Sequence, residues 1–289
     1  MKVGLSRLRE TFRHLRPVRL NQLELDWSLN DDELLSTLVR HESSPLLFGA
    51  FNPERVMEDL QESGILDSIR QRGYTDFYPD ATSHVHFEDR FLLWGVHPRA
   101  EQPQMLMDIR THRGQLEGSC PDSLRQYSLN ALVWDWISLQ DPMASFSRPP
   151  LPGQECPGLG VFRQATALML RYVREMKLDA LVAVPEYFHN AFLYSRAFRF
   201  FEAERQGEFE ALVRDLMPLG LAEASRALDE GRVRQGDEPF GWRPGEMVLP
   251  LGKSTEEHFQ SVRYQARVAE VRTQRNYTHL PSKAVDHIS

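Results

Sequence analysis

Two glycines and a tyrosine carry the first hint of chemistry. Gly158-Leu159-Gly160 stands immediately before the amphipathic run of residues 161–176. Glycines at such a point remove Cβ atoms where backbone amides must come close to a ligand. The helix start adds unpaired N–H groups and the positive end of the helix dipole, so a phosphate or pyrophosphate is the favoured guest. The same Pro-Gly-x-Gly pattern also closes a loop before an ordinary helix. It lacks the third glycine of a dinucleotide fingerprint and the Gly-Lys-Ser/Thr ending of a P-loop. Further along, Tyr194 offers a phenol that keeps its proton at neutral pH and can donate to a developing anion. Its alternative role is packing, in one stripe with Phe192, Leu193 and Phe198.

A base is needed beside such an acid. Asp135 lies between Trp134 and Trp136, where desolvation would raise a carboxylate toward the useful range; an aspartate at a bulge or in a salt bridge is the alternative, and the slightly favoured one. Glu186, His84 and His86 are further candidates for a base. His86 and Glu88 share a strand face, but nothing completes a metal-ligand spacing, so no metal is expected. His189 reads as a surface or capping residue. Cys156 sits in a proline-rich loop without a His/Asn pattern, and with Cys120 it forms neither a metal pattern nor a disulfide framework. Trp94, Trp134, Trp136 and Trp242 could line an acyl or aromatic pocket, although core packing is the commoner use of tryptophan.

These residues need elements to hold them. Residues 129–139 form the strongest strand signal, with Leu132, Trp134, Trp136 and Ser138 alternating against Val133, Asp135, Ile137 and Leu139. A proline-rich loop over 141–157 leads to the glycine turn, and its length marks it as functional or as a lid. A helix over 161–176, a strand over 181–184 and a helix over 188–197 follow, then a strand candidate at 199–203. Upstream, Asn52-Pro53 announces a helix, and a short partner runs from Ile65 to about Gln71. Another helix is expected from Asp31 or Asp32 to about His41. Residues 84–96 and 104–111 read as paired strands. Downstream come helical residues 207–230, a last strand at 247–251 and a polar helix over 255–273, with disorder or partner contact expected beyond Asn276.

This order of strand, glycine turn, helix, strand and tyrosine-bearing helix resembles the GNAT superfamily of acyl-CoA N-acyltransferases. The likeness spans roughly residues 84–251, with its motif core at 129–201. It implies an α/β (strictly α+β) fold: a mixed central sheet flanked by helices over 80–252, preceded by an N-terminal helical segment over 1–79 and followed by a helical C-terminal tail over 253–289. It implies that Gly158, Leu159, Gly160 and Val161 cradle the pyrophosphate of acetyl-CoA or another acyl-CoA. Ile137, Ser138 and Leu139 would line the pantetheine arm through their backbone, and Asn190 would stand near the cofactor. Tyr194 would protonate the leaving thiolate, with Asp135 as base. The chain departs from the family pattern at Glu155, which replaces a basic or amide residue three before the first glycine and leaves only Gln154 beside it. It departs again at Phe198-Arg199, where a Gly-Phe pair is usual.

Bulk properties narrow the partners. The 289 residues carry a net charge of −7, which argues against non-specific nucleic-acid binding. No apolar run approaches the length of a membrane span and no secretion signal opens the chain, so a cytoplasmic protein is expected. The acceptor would be a small-molecule or peptide amine, and the polar C-terminal helix offers a surface for a homodimer. Three other readings fit the same residues: a long-chain acyltransferase, a non-catalytic binding protein of the same fold, and a nucleotide-binding α/β protein.

Overall fold

The computed structural model describes residues 15–17, 46–48, 50–83 and 89–281. The helix expected from Asp31 or Asp32, and His84, His86 and Glu88, lie outside the described residues.

The chain begins its described course with a short strand, β1 (Leu15–Pro17), where a helical segment was expected. Helix α1 (Pro53–Glu62) starts as its sequence demands: Asn52 Oδ1 accepts from Arg55 N at 2.8 Å, and Pro53 fills a position whose missing N–H costs nothing. Gly64, in the left-handed region at φ 76°, turns the chain into α2 (Ile65–Arg70). Then come β2 (Thr75–Ser83), β3 (Asp89–Val96), β4 (Gln104–Ser119) and β5 (Gln126–Leu139) as an antiparallel meander. β2 was not foreseen, because Pro79 and the polar residues around it obscure its alternation. Helix α3 (Phe162–Glu175) carries the chain across to β6 (Ala180–Ala183), which is parallel to β5. Helix α4 (Phe188–Tyr194) and β7 (Arg199–Phe200) follow.

An excursion then intervenes. Helix α5 (Ala203–Leu216) stops where Pro218 forbids its continuation, and a 3₁₀ turn leads into α6 (Leu221–Asp229), so the single helical stretch expected over 207–230 is two. Strands β8 (Val233–Gln235) and β9 (Glu238–Phe240) form a hairpin before β10 (Met247–Pro250) returns to the main sheet between β6 and β7. Helices α7 (Lys253–Gln260) and α8 (Val262–Gln274) divide at Ser261, whose hydroxyl caps the second by accepting from Tyr264 N. Beyond Asn276, where disorder or partner contact was expected, β11 (Tyr277–His279) pairs with β8.

The large sheet has the order β2-β3-β4-β5-β6-β10-β7, with β1 beside β4. The protein is thus a mixed α/β fold, with a large, mostly antiparallel sheet flanked by helices. One face packs α1 to α6 against Leu93, Leu106, Ile109, Leu132 and Leu181. The other packs α7 and α8, through Phe259, Tyr264 and Val268, on Leu116, Val133, Val182 and Val248. A register shift between Arg110 and Thr111 leaves Asp135 without a partner on β4, a β-bulge.

Candidate functional site

The bulge overturns one expectation at once. Strict alternation placed Asp135, Ile137 and Leu139 on one face and Trp134 with Trp136 on the other. One extra residue reverses the phase beyond it. Ile137 and Leu139 therefore join Trp134 on the helical face, packed against its core, while Trp136 is 47% exposed. Asp135 is not enclosed by tryptophans. Its Oδ2 lies 2.6 Å from Nδ1 of His112, the cross-strand partner of Val133. The desolvated lone base is replaced by an imidazole–carboxylate pair on the second face.

The two central strands part at this point. β5 and β6 run side by side from Ala131↔Ala180 to Trp134↔Ala183 and no further. On the edge of β5 that β6 has left, the next contact is the glycine turn, where Leu159 N donates to Leu139 O (3.0 Å) and Gln140 bridges Gly158. Gln140 N meanwhile donates to Leu106 O on β4. Strand alternation then aims the N–H and C=O of Ile137 and Leu139 at the open edge and those of Ser138 at β4. Two of the three predicted strand residues thus present their backbone to the gap.

The turn itself is fastened from a direction the sequence did not reveal. Gly160 takes φ +72°, a conformation glycine adopts without penalty. Arg72, from the loop after α2, donates through Nη2 to Leu159 O (2.8 Å) and through Nη1 to Asp141 Oδ2 (3.0 Å). The buried Tyr74 donates to Asp141 Oδ1 (2.8 Å), and Asp141 N donates to Pro157 O. Burial and the adjacent Asp141 carboxylate hold the Tyr74 phenol well above its ordinary range. Arg72 thereby brings a guanidinium to the turn, the charge that Glu155 was expected to deny it. Glu155 is exposed, and Gln154 is occupied within the loop, accepting from Leu151 N. Val161 provides no side-chain cap, so the first amides of α3 have no acceptor from that source.

Tyr194 meets both structures. Its ring stacks on Phe162, the first residue of α3, at 5.3 Å between centroids, and lies 6.3 Å from Trp134, the last residue of β5 paired with β6. Burial pushes its phenol up to about 12. No described residue accepts or donates a hydrogen bond at its hydroxyl. Asn190 lies one helical turn earlier on the same face of α4. Two buried polar groups beside this cluster, Trp134 Nε1 and Thr111 Oγ1, also have no hydrogen-bond partner among the described residues. They are direct cross-strand neighbours, so they lie on one face at the point where the strands part.

The other candidates are placed elsewhere. Glu186 is exposed just past β6. His189 is buried rather than superficial, with Nδ1 2.8 Å from Ser225 Oγ, and burial pushes its imidazole down to about 4. Cys156 is half-buried and free. Among the described residues, no group of three metal-ligating side chains occurs and no helix is long and apolar enough to cross a membrane. Arg72, His112 and Thr111 were missed because each comes from a segment remote in sequence from the motif, and Asp141 because it reads as the start of the proline-rich loop. Compared with protein-family models, curated proteins and solved structures, the chain matches none.

Proposed function

We propose that the protein is an acyl-CoA-dependent N-acyltransferase of GNAT type, moving an acyl group, acetyl in the simplest case, to an amine. The observation that carries this reading is a convergence. The glycine turn closes on the end of β5, β5 presents unpaired backbone where β6 leaves it, and Tyr194 sits between the two. The order of the elements from β4 to β10 supports it too, with a helix on each side of the parallel strand β6.

In this reading the turn amides and Arg72 hold the pyrophosphate. The N–H and C=O of Ile137 and the N–H of Leu139, whose C=O is taken by Leu159 N, pair with the amides of the pantetheine arm, much as a further strand would. Trp134 Nε1 and Thr111 Oγ1 gain the acceptor they lack, a carbonyl oxygen of the donor. His112 with Asp135 takes a proton from the amine. The amine's lone pair forms the new C–N bond as the C–S bond breaks. Tyr194, still protonated, donates to the sulfur as its charge develops, and the proton released by the amine closes the balance.

The test is calorimetric titration with CoA, acetyl-CoA and a long-chain acyl-CoA, on the wild type, Gly160→Trp and Tyr194→Phe. Binding to the wild type that Gly160→Trp abolishes is the expected result. Tyr194→Phe should bind normally and lose about 10²-fold in kcat. A folded wild type that binds no acyl-CoA would sink the proposal.

A further inference from the structure

The second face of the sheet is helical cover at one end and open side chains at the other. α7 and α8 cover it over the first half of β5. Beyond the bulge it carries Arg90, Leu92 and Trp94 of β3, Asp108 and Arg110 of β4, and Trp136 of β5. Neither hydrophobic core takes in Leu92, Trp94 or Trp136. In the midst of this face lies a carboxylate held in an unusual way. Asp108 is 3% exposed and accepts two hydrogen bonds from each of two arginines, Arg90 (3.0 and 2.9 Å) and Arg110 (3.3 and 2.9 Å). The arginines are direct cross-strand partners. Like charges so placed repel, yet one buried carboxylate binds both and fixes their planes. Arg110 is more than a third exposed and spends two of its five N–H groups on Asp108. Its remaining donors have no protein acceptor among the described residues. Asp80, exposed on β2 opposite Leu92, is the acidic side chain across the strand on that side.

The position of this pair gives it a use. Arg110 and His112 project from the same face of β4, two residues apart, so their Cα atoms stand roughly 7 Å from one another. His112 carries Asp135, at the mouth of the gap between β5 and β6. A molecule spanning that interval places one end on a guanidinium fork and the other on the proton acceptor. We infer that this face is the acceptor site, and that its acceptor is a primary amine bearing a carboxylate a few bonds away, as in an α-amino acid. Arg110, with Arg90 beside it, binds the carboxylate; His112–Asp135 receives the amine. Exposed Trp136, opposite Arg110, offers a wall for the remainder of the molecule. The inference rests on the acyltransferase reading for the fate of the amine, but not for the binding of the carboxylate.

The experiment separates the two. L-amino acids and their methyl esters are titrated by calorimetry into the wild type with and without saturating CoA, and the same panel is assayed with acetyl-CoA by release of free thiol. The expected result is binding of free amino acids at least about tenfold tighter than of their esters. Arg110→Met should erase that preference, and Arg110→Lys, which keeps the charge and loses the fork, should retain part of it. In turnover, Arg110→Met should raise KM for the amino acid about tenfold or more, with kcat and CoA affinity held. Thermal unfolding checks that both variants fold. Equal binding of acids and esters, a preference for polyamines, or an unchanged preference in folded Arg110→Met would overturn the inference. Loss of CoA binding with the carboxylate preference intact would instead overturn the acyltransferase reading alone.

Discussion

Asp59 and Asp108 are each buried and each gripped by two arginines, yet their surroundings differ in a way that separates scaffold from site. Asp59, on α1, meets Arg55 of its own helix, Arg171 of α3 and the hydroxyl of Tyr172, which donates at 2.9 Å. Glu175 pairs with both arginines and Glu62 with Arg171, so the cations of this seam are more than matched by acids. Asp108 has two arginines and no tyrosine, and Arg110 keeps donors that no described residue accepts. Burial would raise both carboxyls, but donated hydrogen bonds outweigh it, and both are held below the ordinary carboxylate range. The same local chemistry fastens two helices in one place and leaves binding capacity unspent in the other.

The largest effect should come from Asp59→Ala. It strands the buried Tyr172 hydroxyl and loosens α1 from α3, at a cost of about 3 kcal/mol, read from urea unfolding. Asp108→Ala should cost about half as much, roughly 1.5 kcal/mol, because both freed guanidinium groups can turn into water. Equal losses would erase the distinction drawn between the two carboxylates. Thr111→Val removes a hydroxyl that has no partner and keeps the shape. Stability should hold or rise by up to about 1 kcal/mol, while acyl-CoA affinity falls several-fold by calorimetry; a clear loss of stability would make Thr111 part of the scaffold instead. The smallest effect is on pH dependence. A depressed carboxylate contributes stability above its unfolded value, 3.8, that disappears as pH falls through its folded value. Unfolding followed from pH 5 to 2 should therefore be shallower in Asp59→Asn than in the wild type.

The sequence was most legible where one physical signal dominated. The strand at 180–183, the helix at 162–175 and the strand at 247–250 follow from apolar runs bounded by glycine or proline, and each lies within a residue or so of its expected limits. Asp135 shows the opposite case. Alternation put it correctly on the face of Val133 but gave the faces of Trp136, Ile137 and Leu139 wrongly, because the bulge is a property of pairing with β4, and one strand read alone does not contain it. Arg72 and Asp141 were silent for a related reason: an arginine after a short helix and an aspartate before a proline have ordinary local explanations. Only the fold brings them to Leu159.

The excursion between β7 and β10 has a bearing on how the chain comes together. Phe201 N donates to Glu246 O at 2.9 Å, so the excursion leaves and rejoins the sheet at adjacent residues. Its own small sheet is nevertheless completed by β11, from well beyond the point of return, and α8 lies along α5. During synthesis, β8 and β9 emerge and must wait, with Val233 and Phe240 uncovered, until residues 277–279 have been made. A nascent chain paused inside α8 therefore carries an unfinished sheet edge, the kind of surface that chaperones hold and that stray strands join.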